Sequence, residues 1–252
     1  MKLLVIPDVH GLDAWKSHVK DIMHMPDSHV IFLGDYVDSR GEQLTGYDIM
    51  ENLNDIIKFK KDHPDKVTLL LGNHDYAYIF GKTAMTGFNH EMWVTYRSIL
   101  NDNWNLFDMA WGHTALDGKY TLLTHAGLTK WFYTAIERTI ADPEHTMNKI
   151  LGMDELWKGL SLHTLLNYFK DQGTLMWKVG MMRWGSSPSG SILWADKREL
   201  INDPYPGIDQ IVGHTSSQFI DIRLTKNGER IYFADMHNEW EGTHRSMFIE
   251  LR

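Results

Sequence analysis

An α/β fold of mixed sheets flanked by helices is predicted by three features of this sequence. Short, continuous aliphatic runs recur along the chain and close on polar turns, segments of helical period lie between the early runs, and the C-terminal third carries strand-like pieces with no helix between them. Continuous rather than alternating runs mark strands buried on both faces, and hence a sheet covered by helices.

The first strand is expected at Leu3-Leu4-Val5-Ile6, closing on Pro7-Asp8, and the second at Val30-Ile31-Phe32-Leu33, closing on Gly34-Asp35. Residues 14–25 have helical period, as do residues 46–62, where Ile49, Leu53, Ile56 and Ile57 share one face. Val67-Thr68-Leu69-Leu70-Leu71 runs into Gly72-Asn73, Tyr120-Thr121-Leu122-Leu123 into Thr124-His125, and Gln210-Ile211-Val212 into Gly213-His214. Residues 76–111 and 128–183 interrupt this alternation, are rich in Trp, Met, Phe and His, and carry helical patterns at 91–101, 130–140 and 160–169. Such insertions either lie over a site as substrate-selecting lids or cover a sheet edge. Strand-like pieces at 219–224, 230–234 and 246–251, joined by turns such as Lys226-Asn227-Gly228, complete the chain. With no linker composition and no repeat, one domain over residues 1–252 is expected.

Composition narrows the function classes. A formal charge of -8 argues against general nucleic-acid binding, because affinity for a phosphate backbone comes mostly from Lys and Arg. The absence of Cys fits a reducing compartment and excludes disulfides and thiolate metal sites. The apolar run after Lys2 is too short for a signal peptide and breaks at Pro7-Asp8, and no run reaches membrane-spanning length. A cytoplasmic protein with no membrane association is expected.

Every strand that closes on a polar turn does so with hard metal donors: Asp8-Val9-His10, Gly34-Asp35-Tyr36-Val37-Asp38, Gly72-Asn73-His74-Asp75, Thr124-His125-Ala126-Gly127 and Gly213-His214-Thr215. Carboxylate, amide oxygen and imidazole suit a pair of divalent cations, and ligands of covered sheets gather at the carboxyl ends of strands. One such Asp or His alone is more often a turn residue; the ordered set points to phosphoester hydrolysis. Asp8 and His10, two apart along an extended strand end, can face one ion. Asp75 is left outside the site, as a partner to an imidazole or a helix cap.

In order, residue type and spacing these motifs resemble the metallophosphoesterase, or calcineurin-like phosphoesterase, superfamily. With Asp8-Val9-His10-Gly11, Ile192-Leu193-Trp194-Ala195-Asp196 and Gly213-His214 they are most similar to the serine/threonine protein phosphatase branch and its relatives, the symmetrical diadenosine tetraphosphate hydrolases. The resemblance implies a β-sandwich of two mixed sheets flanked by helices. It implies two divalent ions, Mn²⁺ with Fe or Zn as alternatives, held by Asp8, His10 and Asp35 at one position and by Asn73, His125 and His214 at the other. Asp35 bridges them, and a hydroxide shared by both ions is the nucleophile. It also implies His74, oriented by Asp38, as general acid, and Arg40 as a phosphate contact, with Arg183 chosen as the second on its place before Trp194-Ala195-Asp196. An equal reading stacks Arg183 on Trp177 or Trp184.

This sequence departs from the protein-phosphatase pattern. Ser39 stands between Asp38 and Arg40, Leu71 replaces an Arg before Gly72-Asn73-His74, and Asp75 replaces a Glu after it. The leading expectation is a phosphomonoesterase of the protein-phosphatase type acting on a phosphoprotein or small phosphoester. The alternatives are a nucleotide pyrophosphohydrolase or phosphodiesterase, such as a dinucleoside tetraphosphate hydrolase, suggested by Val212-Gly213-His214-Thr215, and a non-catalytic module that retains the metal fold.

Overall fold

The computed structural model of the chain describes residues 1–41, 44–238, 243–245 and 247–250. The chain begins with β1 (Lys2–Ile6), α1 (Trp15–Ile22), β2 (Ser28–Phe32), α2 (Gly46–Asp62) and β3 (Val67–Leu70), the strands parallel and registered Leu4↔Val30 and Val30↔Val67. Then α3 (Asn73–Phe80) and α4 (Trp93–Asp102) precede β4 (Phe107–Asp108), which extends the same sheet. The second sheet opens with the antiparallel pair β5 (Ala110–Thr114) and β6 (Tyr120–Thr124). It continues, after α5 (Lys130–Ala141), α6 (Leu162–Tyr168), α7 (Gly173–Met176) and α8 (Lys197–Asn202), with β7 (Ile208–Val212), β8 (Asp221–Leu224) and β9 (Arg230–Phe233). A small pair, β10 (Met236–Asn238) and β11 (Thr243–Arg245), leads to β12 (Met247–Glu250), which returns to the first sheet antiparallel to β1. The strand orders are therefore β12-β1-β2-β3-β4 and β5-β6-β7-β9-β8, both mixed.

Burial explains why the strand sequences do not alternate. Leu3, Val5, Ile31, Leu33 and Leu70 pack against Leu123, Ile211, Tyr232 and Ala234 between the sheets, while Leu4, Ile6, Val30, Phe32, Val67 and Leu69 face helices on the other side. Removing both faces from water favours apolar residues at consecutive positions. The helix α2 matches its sequence pattern because Thr45 and Asp48 form a capping box, Lys60 and Lys61 occupy the last turn, and Ile49, Leu53, Ile56 and Ile57 are buried. By contrast α1 stops at Ile22, short of the expected residue 25, because a turn through Asp27 (φ 51°) reverses the chain into β2. The helix α3 was anticipated only in the reading of Asp75 as a helix cap, which holds because Asp75 accepts the Gly72 N–H at its start; most of the helix is buried, so it shows no clear amphipathic stripe.

The insertions do both things open to them. Asn167 of α6 accepts N–H bonds from Met109 and Ala110 at 2.7 and 2.9 Å and covers the β5 edge, whereas Met85, Thr86 and Arg183 wall a cavity at the strand ends.

Candidate metal and phosphate site

All five motifs meet where β1, β2, β3, β6 and β7 end. The approach is close enough to require glycine: a Cβ on Gly72 would overlap the Asp35 carboxylate, and one on Gly213 would overlap that of Asp8. Among the described residues, few outside glycine have positive φ, and His10 (46°), Asp35 (53°), Asp38 (64°) and His214 (63°) are among them. Left-handed backbone costs such residues about 1–3 kcal/mol each and persists where surrounding bonds over-determine it. Here His10 N–H donates to the Asp35 carbonyl at 2.7 Å, and His214 N–H donates to Asp8 Oδ1 at 2.9 Å. Asp8 and His10 therefore do not alternate along an extended strand as expected. The strand ends at Ile6, and a left-handed turn brings His10 Nε2 to 4.0 Å from Asp8 Oδ2.

Hydrogen bonds leave lone pairs facing one another. Nδ1–H of His125 donates to the Leu33 carbonyl at 2.8 Å, so its Nε2 is the unprotonated nitrogen. That Nε2 lies 2.8 Å from Asn73 Oδ1, 3.1 Å from His214 Nδ1 and 3.5 Å from Asp35 Oδ2. Likewise Nδ1–H of His10 donates to the Asp38 carbonyl at 3.2 Å, and its Nε2 lies 3.6 Å from the same Asp35 Oδ2. Acceptors converging at these separations in a buried site are mutually repulsive, and a cation resolves them. Burial and then His125 hold the His214 pKa well below its usual value, which keeps that imidazole neutral and able to donate a lone pair. Donor atoms of His10, Asp35 and His74 lie within 4.8 Å of one another, with His74 where Asp8 was expected, as do those of Asp35, His125 and His214. Asp35 belongs to both sets. The residues present thus fit a pair of divalent ions.

His74 differs from the other imidazoles through its partner. Its Nδ1 lies 2.8 Å from Asp38 Oδ2, and the other Asp38 oxygen accepts the Tyr78 hydroxyl. Burial alone would lower the His74 pKa, but the charges of Asp35 and Asp38 outweigh it and raise the value above 6.5. Asp75 organises the loops: it is fully buried and accepts N–H bonds from Asp35, Tyr36 and Gly72 at 2.8, 2.8 and 2.9 Å. Three donors on one carboxylate tie the second motif to the third, a role sequence spacing alone does not reveal.

A cavity of about 400 Å³ opens over these groups, lined by Asp35, Arg40, Asn73, His74, Met85, Thr86, Arg183, Trp194, His214, Thr215 and Ser216. Arg183 lines the cavity, donates to Thr215 Oγ1 at 2.6 Å and pairs with Asp196 Oδ2 at 3.1 Å. Arg40 pairs with Asp8 and with Asp235, which follows β9. Sequence reasoning missed Asp235 because its contact with Arg40 spans 195 positions. Burial, followed by the charge of Asp8, pushes the Asp235 pKa up to about 7. No helix among the described residues is long and apolar enough to cross a membrane.

Known proteins place this geometry. The serine/threonine-protein phosphatase PP1-delta of Caenorhabditis elegans is 30% identical over 162 residues, covering 62% of this chain and 49% of its own length. The serine/threonine-protein phosphatase sitA of Aspergillus fumigatus is 31% identical over 130 residues, 50% of this chain and 31% of its own. The chain thus spans half or less of the length of these relatives. Two structures of a cold-active protein-tyrosine phosphatase, one from a psychrophilic Shewanella species, share the fold at TM-scores of 0.54 and 0.56 and 16% and 15% identity. Each covers 99% of this chain, which in turn covers 75% and 73% of them. Residues 1–218 match the model of the calcineurin-like phosphoesterases, and the chain is a member of that family of metal-dependent ester hydrolases.

Proposed function

We propose that the chain is a single-domain, dinuclear phosphomonoesterase of the serine/threonine protein phosphatase type, acting on phosphorylated protein side chains or small phosphoesters. The observation that carries this reading is Asp35 Oδ2, 3.6 Å from His10 Nε2 and 3.5 Å from His125 Nε2, in a cavity that Arg40 and Arg183 also line. The 30–31% identity to two serine/threonine phosphatases supports the same reading.

Asp8, His10 and Asp35 would hold one ion, and Asp35, Asn73, His125 and His214 the other, with Mn²⁺ suited to this oxygen and imidazole set. Bound there, the ions supply Lewis acidity toward phosphoryl oxygens and acidify water near neutral pH. Arg40 and Arg183 hold the remaining negative charge of the phosphoryl group and fix its orientation. His74, with Nδ1–H donated to Asp38, presents its other nitrogen to the cavity and gives its proton to the departing oxygen. The Asp35 and Asp38 charges that raise its pKa keep that proton available near neutrality.

The nucleotide pyrophosphohydrolase reading is favoured by the Val212-Gly213-His214-Thr215 form of the last motif and by Trp194 on the cavity wall, a surface on which a base can stack. A substrate panel with Mn²⁺ separates the two. Inorganic phosphate released from phosphoserine peptides and p-nitrophenyl phosphate is the expected result, and ADP or AMP formed from a dinucleoside tetraphosphate in preference would favour the second. Chelation with EDTA should abolish turnover and Mn²⁺ restore it. Full turnover by protein shown metal-free by elemental analysis would exclude both.

A further inference from the structure

We propose that Asp235 is a positioning residue for Arg40, fixing its guanidinium so that it faces a phosphoryl group in the cavity. The inference rests on the reading of Arg40 as a phosphate contact, and it adds the residue that makes such a contact possible from a displaced position.

Arg40 lies in the loop after Asp38, one residue beyond the place the protein-phosphatase pattern prescribes, and its flexible side chain leaves the head group undetermined by the backbone. Two carboxylates from opposite sheets determine it. Nη1 lies 2.7 Å from Asp235 Oδ2, and Nη2 lies 2.5 Å from Asp8 Oδ2. Arg40 itself lines the cavity, whereas Asp235 and Asp8 are fully buried behind it.

The two anchors are not equivalent. Asp8 has other work: both its oxygens accept the His214 N–H, at 2.9 and 3.2 Å, and Oδ2 faces His10 Nε2. Asp235 gives one oxygen to Arg40, and its Oδ1 has no hydrogen-bond partner among the described residues. A buried carboxylate carries a desolvation cost of several kcal/mol, so its place in the fold is explained by the cation it holds. Asp235 draws the guanidinium away from Asp8, whose Oδ2 also faces His10 Nε2. Arg183 is held in the same manner, by Asp196 and Thr215. Each cavity arginine is thus fixed from behind by a carboxylate contributed after residue 190.

The test compares Asp235→Asn, Arg40→Ala and the double variant in full-length, Mn²⁺-loaded protein. Metal content is followed by elemental analysis, thermal stability by melting, kcat and KM on p-nitrophenyl phosphate, and affinity for inorganic phosphate by competitive inhibition and calorimetry. Loss of one oriented, charge-assisted contact should raise KM and weaken phosphate binding about tenfold in Asp235→Asn, with a smaller change in kcat and both metals retained. The double variant should bind phosphate no more weakly than Arg40→Ala alone. Wild-type phosphate affinity in folded, metal-replete Asp235→Asn, or additive losses in the double variant, would overturn the proposal. If Asp235→Asn does not fold, Asp235→Ser, which removes the acceptor without adding an amide, is measured against the same criteria. Wild-type phosphate affinity in Arg40→Ala would instead remove the underlying role of Arg40, and the proposal with it.

Discussion

The two sheets contribute unlike halves to one site. The first supplies Asp8, His10, Asp35, Asp38, Arg40, Asn73 and His74, a carboxylate-rich set in which His74, hydrogen-bonded to Asp38, is held above its usual pKa. The second supplies His125 and His214, of which His214 is kept neutral by burial, together with Arg183. The difference teaches that the carboxylates facing the imidazoles come from one side, while the other adds two imidazoles and, in Asp235, a carboxylate turned toward Arg40. Asp35 is where the halves meet, its Oδ2 lying 3.6 Å from His10 and 3.5 Å from His125.

Breaking that meeting point should have the largest effect. Asp35→Asn is expected to lose metal at both positions and nearly all turnover, while Asp8→Asn mainly weakens one position. Two metals per chain and normal turnover in Asp35→Asn would show that the halves are not joined there.

The next effect separates proton transfer from metal holding. His74→Asn should lose on the order of 10²- to 10⁴-fold in rate on alkyl phosphates and less on p-nitrophenyl phosphate, whose leaving group departs without a proton, while keeping its metals. His125→Asn should lose metal and all activities together. Equal losses on good and poor leaving groups in metal-replete His74→Asn, with chemistry rate-limiting, would reduce His74 to a positioning role.

The scaffold of the anionic half can be tested without touching a donor. Asp75→Ala leaves the N–H groups of Asp35, Tyr36 and Gly72 buried without their acceptor, at about 1–3 kcal/mol for each group. Denaturant unfolding should therefore show a loss of several kcal/mol, well beyond a surface substitution. A value near zero would mean that the carboxylate does not hold the loops together.

The smallest effect concerns the seam between the sheets. His29 on β2 stacks on Trp111 of β5 with ring centroids 5.4 Å apart, and burial, then Lys60, lowers its pKa to about 4. Because the unfolded chain takes up this proton near pH 6.5 and the native one near 4, the contribution is complete above pH 6.5 and is lost as pH falls toward 4. It amounts to roughly 1–3 kcal/mol. His29→Gln should flatten the stability profile in that window and leave metal content unchanged. An unaltered profile would show that His29 does not titrate with unfolding.

Much of this was legible in sequence, for a physical reason. A strand buried on both faces is mostly apolar, so β1, β2, β3, β6 and the end of β7 announce themselves, and a donor motif beside such a run marks its carboxyl end. Local capping chemistry likewise makes α2 readable through Thr45 and Asp48. The chain alone therefore determined the α/β class, the candidate donors and the kind of ligand they suit. Only the tertiary structure decided how those donors are aimed. The left-handed turns at His10, Asp35, Asp38 and His214, the three N–H groups gathered by Asp75, and the pairing of Arg40 with Asp235 all depend on contacts between distant segments. Side chains that act through such contacts carry no periodic or local signal, and α3 was legible only through its cap Asp75, because a short, largely buried helix shows no clear polar face.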